Sequence, residues 1–215
     1  MSSKKIIEAP KLPKTLANIT QPAYHLQPED EFSLGIICDC TIDSQTAGKV
    51  SFDKIVFQNV TFTETSLTDL ELTDIVFERC DLSNVIFHDA IIHRTAFYDC
   101  KMIGVDLTGA TFRNVQFHRC IADYATFRFS NAKQALFQEC SLCSADFYNA
   151  AFQKVYFSRS NMDRAQMTGV KLEGIDLSDC EFDALGAGLA DLQGCVISRE
   201  QASVFAKQFG LAIKE

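Results

Sequence analysis

The chain has 215 residues, of which 47% are hydrophobic and 22% are charged, and these proportions argue against a disordered protein. Its net charge of −8 disfavours a protein that binds nucleic acid by neutralising phosphates. Phe is abundant, with 18 residues against 5 Tyr and no Trp, and there are 9 Cys. The residues that follow must account for both excesses.

Residues 1–31 differ in composition from the rest of the chain. They hold Lys4, Lys5, Lys11 and Lys14, and three of the four prolines lie in residues 10–22. We predict a mobile or loosely docked arm here. The segment lacks the apolar core of a signal peptide, and no run of 18 apolar residues follows. We therefore expect a cytoplasmic protein with reduced thiols and no membrane association.

From Phe52 to Leu192 an apolar residue returns at every fifth position, without a gap. A second series of smaller residues lies two positions earlier, as at Cys80 and Val85. A period of five is neither that of a helix nor that of a strand. It fits a chain that turns a corner every five residues, so that four sides close a coil of 20 residues. We predict a coil over residues 32–194 that is regular from about residue 50, because residues 43–49 weaken the pattern.

Sorting the sequence with a period of 20 gives three distinct columns. The first is a predicted inner stack of aromatic residues: Phe57, Phe77, Phe97, Phe117, Phe137 and Phe157. The second holds six of the nine cysteines, which we interpret as small apolar fillers rather than as a metal array or a run of disulfides. The third alternates in sign and is predicted to lie outside: Arg79, Asp99, Arg119, Glu139, Arg159 and Asp179.

The C-terminal segment, residues 195–215, has the pattern of a helix. Ser198 and Gln201 form a capping box, and Gly210 is placed to end the helix. A coil of this kind needs a cap, since its last turn would otherwise expose an open edge. The sequence leaves open whether the segment only caps the coil or also forms a dimer interface. The residues proposed for either role are Ser198, Ala202, Phe205, Ala206, Phe209, Leu211 and Ile213.

Residues that could carry catalysis are scarce. Of the four histidines only His88 and His93 are close in sequence, and no metalloprotease, phosphate-loop or serine-hydrolase motif is present. A filled coil also leaves no interior cleft in which pKa values could be shifted. We predict that the protein is not an enzyme and has no catalytic, cofactor or metal site.

Charge is distributed unevenly around the predicted coil. The two sides built on residues 60–69 and their 20-residue successors form an acidic flank with only Lys101, Arg128 and Arg164 as bases. A one-sided acidic surface favours a basic partner groove. The side built on residues 50–54 is slightly basic, with Lys54, Arg94, Arg113, Lys133, Lys154 and Lys171. The acidic flank consists of Glu64, Asp69, Asp81, Asp89, Asp106, Asp123, Asp146, Asp163, Glu181 and Asp183.

Units such as Cys80-Asp81-Leu82, Val105-Asp106-Leu107 and Ala190-Asp191-Leu192-Gln193-Gly194 resemble the pattern of the pentapeptide-repeat proteins. The resemblance implies an all-β solenoid, a right-handed quadrilateral β-helix, here with a C-terminal capping α-helix. Residues 122–129 and 199–211 are most similar to the quinolone-resistance (Qnr) members from the chromosomes of Gram-positive bacteria.

That closer resemblance implies a homodimer joined through its C-terminal ends. It also implies a DNA mimic that binds DNA gyrase and topoisomerase IV, protects them from fluoroquinolones and does not itself bind nucleic acid. Many relatives carry projecting loops that contact the enzyme, and this chain has none. The alternative is a non-catalytic structural or adaptor rod that binds a different protein.

Overall fold

The computed structural model describes residues 7–19 and 25–214, which form a parallel β-solenoid of about eight turns followed by one helix. The predicted fold is confirmed. Helix α1 spans Arg199–Gln208. The strands are β1 (Ala17–Asn18), β2 (Glu31–Cys38), β3 (Thr41–Asp43), β4 (Thr46–Gly48), β5 (Ser51–Gln58), β6 (Thr61–Thr63), β7 (Ser66–Thr68), β8 (Glu71–Thr73), β9 (Val76–Glu78), β10 (Ile91–Tyr98), β11 (Thr111–His118), β12 (Asn131–Gln138), β13 (Ala151–Ser158), β14 (Ala165–Gln166) and β15 (Leu185–Gly186).

Paired strands are parallel, and from β2 onward the paired residues are 20 apart in sequence. The largest sheet runs in the order β1-β2-β5-β8-β10-β11-β12-β13, with β9 paired to β5 and β10. Phe32 lies opposite Phe52, and Phe97 opposite Phe117, so each residue stacks on its equivalent in the next coil. The other two sides are joined by short strand pairs and isolated bridges with the same offset. The 20-residue coil inferred from the columns is therefore confirmed.

Most corners are made by a residue with a positive φ angle, as at Asn59 (φ 53°), Arg79 (φ 53°) and Asp99 (φ 54°). The left-handed region is unfavourable for residues other than glycine. Hydrogen bonds between coils hold these corners in place, because the Asn59 N–H donates to the Glu78 carbonyl at 3.0 Å and the Arg79 N–H to Tyr98 at 2.9 Å. A corner every five residues explains the period of the sequence.

The inward series from Phe52 to Leu192 is buried except at Phe152 and Leu192, which are half-buried. The predicted Phe column is a continuous stack, with ring centroids 4.6 to 5.1 Å apart and nearly parallel planes. That spacing is the distance between adjacent strands. The Phe excess therefore supplies the core of the coil.

The nine cysteines are free thiols in the structure. Four cysteines of the inner column do more than fill space, because Cys80, Cys100, Cys120 and Cys140 each donate weak hydrogen bonds to backbone carbonyls at their corner. The Cys120 Sγ lies 3.5 Å from the carbonyl oxygens of Phe97 and His118. Ser160 makes the same two contacts two column positions further on, at 3.3 and 3.1 Å. The column therefore holds small side chains, most of which can also donate a hydrogen bond.

The coil is regular before residue 50, which differs from the prediction. Ile42 lies opposite Phe62 and Ala47 opposite Leu67. The pattern weakens in the sequence because Gln45 occupies an inward position where other coils have an apolar residue. Its buried amide is satisfied, since Nε2 donates to the Asp43 carbonyl at 2.6 Å and Oε1 accepts from the Leu26 N–H at 2.7 Å.

The end of the coil also departs from the pattern. Residues 190–194 match the family pattern in sequence, yet Ala190 is exposed and Leu192 only half-buried. The segment forms a turn in which the Asp191 Oδ2 accepts from the Gly188 N–H at 3.0 Å and the Gly169 N–H at 3.2 Å. Bonds to the preceding turn of the coil persist, since the Leu172 N–H donates to the Asp191 carbonyl and the Gly174 N–H to the Gly194 carbonyl, both at 3.0 Å.

The described part of the predicted arm lies against the coil. Strand β1 extends the sheet beside β2, and Ile19 packs so closely on Gly35 that a Cβ there would meet it at 2.4 Å. Further along, the Lys11 N–H donates to Asp74 at 2.9 Å and the Glu8 N–H to Asn114 at 3.2 Å. Residues 1–6 and 20–24 of the arm lie outside the described residues.

Candidate functional site

The acidic flank occupies two adjacent sides of the coil, where the sequence placed it. Glu64, Asp69, Asp89, Glu181 and Asp183 are exposed. The other five residues of the flank are half-buried, because their carboxylates lie along the surface of the coil: Asp81, Asp106, Asp123, Asp146 and Asp163. The flank is therefore a continuous but not uniform anionic surface.

Several half-buried carboxylates are partly used by the fold. Asp81, Asp106 and Asp146 each accept a hydrogen bond from the backbone N–H two residues later, at 3.0, 3.0 and 2.8 Å. This local bond is the reason that Asp is favoured just before an inward residue. One oxygen of each carboxylate is thus committed to a turn, and the other oxygen faces the surroundings.

Four carboxylates of the flank have a basic side chain beside them. Lys101 lies 3.2 Å from Asp81, His88 lies 2.7 Å from Asp106, and Arg128 lies 3.7 Å from Asp146. Arg164 lies 3.5 Å from Asp163. Glu64, Asp69, Asp89, Asp123, Glu181 and Asp183 have no ion-pair partner among the described residues.

The carboxylates that pack on the coil remain good acids. Burial would raise the pKa of Asp106, but hydrogen bonds from Thr108 and His88 outweigh it and the pKa is lowered. The pKa of Asp81 is lowered in the same way, since bonds from Ser83 and Lys101 outweigh burial. Both groups are therefore anionic at neutral pH.

An exposed aromatic cluster lies within the flank, and sequence reasoning missed it. Tyr124 and Phe129 are 67% and 54% exposed. Phe129 meets Tyr148 edge-on at 5.7 Å, and the Arg128 guanidinium lies 5.0 Å from the Tyr148 ring centroid. The sequence did contain a sign of this cluster. Tyr124 and Phe129 occupy corner positions where most other coils have polar residues or glycine. Exposed Tyr and Arg are typical of interface hot spots.

The C-terminal helix seals the coil. The predicted capping box is present at Ser198 and Gln201, and Gly210 (φ 82°) ends the helix. Gln201 has a second role, because its buried Nε2 donates to the carbonyls of Leu177 and Cys180 at 2.8 and 2.7 Å. Phe205 is buried against Phe182, with ring centroids 5.6 Å apart.

The other apolar residues proposed for the cap lie outward. Ala202 is exposed, Ala206 is half-buried, and Phe209, Leu211 and Ile213 are 38%, 63% and 49% exposed. The helix therefore turns a different face to the coil than the spacing suggested. Gln201, Val204, Phe205 and Gln208 make that contact.

The histidines do not form a shared site. His88 lies against Asp106, His93 beside Arg94, and His118 stacks on Tyr98 with ring centroids 5.1 Å apart. Within residues 7–19 and 25–214, no three His, Cys, Asp or Glu side chains group as metal ligands would. In the same part of the chain, no helix has the length and apolarity needed to cross a bilayer.

Comparison with known families decides the assignment. The family model "Pentapeptide repeat region" matches residues 70–147, and "Pentapeptide repeats (8 copies)" matches residues 140–179. Together the two cover just over half of the chain. The chain belongs to the pentapeptide-repeat family. A search of curated proteins finds no match.

Solved structures of other pentapeptide-repeat proteins are similar to this chain. A trypsin-treated form of QnrB1, a plasmid-mediated fluoroquinolone resistance protein, is 18% identical, with coverage of 90% of this chain and 100% of that one and a TM-score of 0.42. HetL from Nostoc sp., involved in heterocyst differentiation regulation, is 14% identical, with coverage of 79% and 90% and a TM-score of 0.35. A protein of the Arabidopsis thaliana thylakoid lumen is 19% identical, with coverage of 51% and 70% and a TM-score of 0.36. At these identities the likeness extends to the repeat fold alone.

Proposed function

We propose that this pentapeptide-repeat protein is a DNA mimic that binds DNA gyrase and topoisomerase IV in the cytoplasm and protects them from fluoroquinolones. One observation carries the proposal: two adjacent sides of the coil hold ten acidic residues against three Lys and Arg. The resemblance of residues 122–129 and 199–211 to quinolone-resistance proteins points to topoisomerases as the basic partner. The role is one of binding and not of catalysis.

The charge of the flank is lower than that of DNA. Eight coils span about 38 Å, taking the usual distance of about 4.8 Å between strands. Duplex DNA of that length carries about 22 charges, at one per ~1.7 Å. Charge alone would therefore give weaker binding than DNA, and the exposed Tyr124 and Phe129 would supply apolar contacts that DNA lacks.

A homodimer would lengthen the anionic surface. We propose that two copies meet through the exposed apolar residues beyond α1, Phe209, Leu211 and Ile213. The acidic C-terminal end of each solenoid, which includes Asp179, Glu181 and Asp183, would then lie near the centre of the dimer. Two acidic flanks joined end to end would cover about twice the length of the solenoid of one copy.

The dimer can be tested without disturbing the cap. The double variant Leu211→Glu, Ile213→Glu should be monomeric in light scattering and keep the thermal unfolding of the parent, because both side chains are exposed. The control is Lys214→Glu, which replaces a positive charge by a negative one in the same segment and should stay dimeric. A parent protein that is monomeric at tens of micromolar would contradict the dimer.

The gyrase proposal calls for a supercoiling assay with ciprofloxacin, with and without the protein. A flank variant with Glu64→Gln, Asp69→Asn, Asp89→Asn and Asp183→Asn should lose protection and co-elution with gyrase. A matched control removes four acids from the other sides of the coil: Asp39→Asn, Glu71→Gln, Asp99→Asn and Glu139→Gln. The control should protect as the parent does.

The same experiment separates the two proposed classes of function. Absence of protection at stoichiometric excess of the parent would contradict the quinolone role, and absence of co-elution would contradict gyrase binding. If a pull-down recovered another protein and the flank variant lost it, the adaptor rod would be the correct function.

A further inference from the structure

A groove runs along the corner of the coil that is diagonally opposite the acidic flank. It has a volume of about 440 Å³ and is lined by His93, Arg94, Arg113, Asn114, Lys133 and Lys154 together with Glu8 of the arm. The volume is within the range of small-molecule sites. Its lining is basic, in contrast to the rest of this acidic protein.

Three of the cations in the groove have no carboxylate to neutralise them. Arg94 is committed to Asp74, with Nε–Oδ1 and Nη2–Oδ2 distances of 2.6 and 2.8 Å. Arg113, Lys133 and Lys154 form no ion pair with any described residue. The groove therefore carries an excess of three positive charges.

The placement of these cations is costly for an empty groove. Arg113 on β11 and Lys133 on β12 are register partners, so two like charges stack directly on each other. Such pairs destabilise a sheet. The exposed column on another corner instead alternates in sign, since Arg119 stacks on Asp99 at 2.7 Å and Arg159 on Glu139 at 2.5 Å. An anion between Arg113 and Lys133 would remove the repulsion.

The chain itself brings an anionic group to the groove. The Glu8 N–H donates to the Asn114 Oδ1 at 3.2 Å, which places Glu8 in the groove wall. Its carboxylate is close enough to act on the charges of His93 and Arg94, although it is also 3.1 Å from Lys11. One end of the groove thus already accommodates an anionic group, and the end formed by Lys133 and Lys154 is free of one.

We propose that this groove binds a polyphosphate group, with Arg113, Lys133 and Lys154 as its ligands. Three consecutive coils each supply one cation, over about 10 Å along the axis at the usual strand spacing. A triphosphate is long enough to bridge neighbouring turns of the coil and carries enough negative charge to pair with all three cations, whereas a single carboxylate would leave cations unpaired. Arg binds phosphate through two parallel hydrogen bonds, and Lys through a compact charge. The site is independent of the acidic flank and of the partner proposed for it.

Titration calorimetry with sodium tripolyphosphate at constant ionic strength tests the site. The parent should show saturable binding with one site per chain. The double variant Arg113→Gln, Lys133→Gln should bind at least about tenfold more weakly, because it removes two charge-assisted contacts. Glu8→Gln should bind more tightly than the parent, since it removes a competing anionic group.

The matched control is Arg119→Gln, Arg159→Gln, which removes two cations that are already paired on a different corner. It should bind as the parent does, and circular dichroism should show the same fold for all variants. Equal loss in both double variants would show non-specific attraction and overturn the proposal, as would the absence of binding to the parent. Binding of an oligoglutamate peptide in preference to tripolyphosphate would overturn the phosphate assignment.

Discussion

At the residue scale, the inner Phe column is the main source of stability. Phe117 is buried between Phe97 and Phe137, with ring centroids 4.8 and 4.6 Å away. We expect Phe117→Ala to cost about 3–5 kcal/mol through the cavity it leaves. Arg119→Ala, two residues later but on the surface, should cost far less, because its ion pair with Asp99 is exposed. Urea unfolding measures both, and a larger loss for the Arg119 variant would contradict the inward and outward assignment.

The cysteines should divide by burial when they react with a thiol reagent. Burial raises the pKa of Cys180 to about 12, so at pH 8 almost none of it is the reactive thiolate. Cys38, Cys40, Cys143 and Cys195 are only half-buried. We expect Ellman's reagent at pH 8 to modify these four at most in the native protein and all nine in guanidinium. Rapid modification of the buried thiols would contradict a rigid core.

At the element scale, one buried carboxylate joins the arm to the coil. The Asp74 carboxylate is 3% exposed and accepts from both Arg94 and the Lys11 N–H. Asp74→Ala would strand the Arg94 charge and release the arm. We expect a loss of about 3 kcal/mol and faster hydrogen exchange in residues 7–19. The control Asp99→Ala breaks an exposed pair of the same kind and should cost about 1 kcal/mol or less.

Gln201 should be the main polar anchor of the capping helix. Its buried amide bonds two carbonyls of the last full coil, and its loss would leave them unpaired. We expect Gln201→Ala to lower the free energy of unfolding by about 1–3 kcal/mol. Amide hydrogen exchange should increase first at the C-terminal end. Glu200→Ala, at the exposed neighbouring position, is the control and should change little. An unchanged stability for the Gln201 variant would show that Phe205 packing alone holds the cap.

The coil could be predicted from the sequence because every coil repeats one set of contacts. A residue such as Phe97 sees nearly the same neighbours as Phe77 and Phe117, so the period of five and the period of 20 locate it. The ends could not be predicted in this way, because their contacts occur once. The bond from the Lys11 backbone to Asp74 leaves no side-chain pattern, and Ala190 matches the repeat while lying outside the core.

At the scale of the whole molecule, charge divides the coil into two functional sides. Sorting the sequence with a period of 20 places the acidic flank and the slightly basic side built on residues 50–54 on different sides of the coil. This was possible because the repeat alone determines the side on which a residue lies. Partners could not be predicted in the same way, because recognition depends on groups such as Tyr124 and Glu8 that stand outside the pattern. The acidic side fits a basic protein, and the basic corner fits a small polyanion.

The stability of the whole coil should increase with pH between about pH 3 and pH 7. Bonds from Arg119 lower the pKa of Asp99, and bonds from Arg94 and Lys11 outweigh burial to lower that of Asp74. A carboxyl with a lowered folded pKa stabilises the fold above its unfolded pKa of about 3.9 and loses that contribution as the pH falls through the folded value. Stability should therefore drop steeply below about pH 4.

Two histidines should extend the slope toward neutral pH. Burial, followed by the charge of a neighbouring Arg, lowers the pKa of both His93 and His118. Below the unfolded pKa of about 6.5 the unfolded chain then binds more protons than the fold, so acidification again favours unfolding. Urea midpoints measured from pH 3 to pH 8 should rise in two steps, and a His93→Gln, His118→Gln variant should lack the upper one. Equal midpoints at pH 3.5 and pH 7 would contradict the ionised contacts that link successive coils.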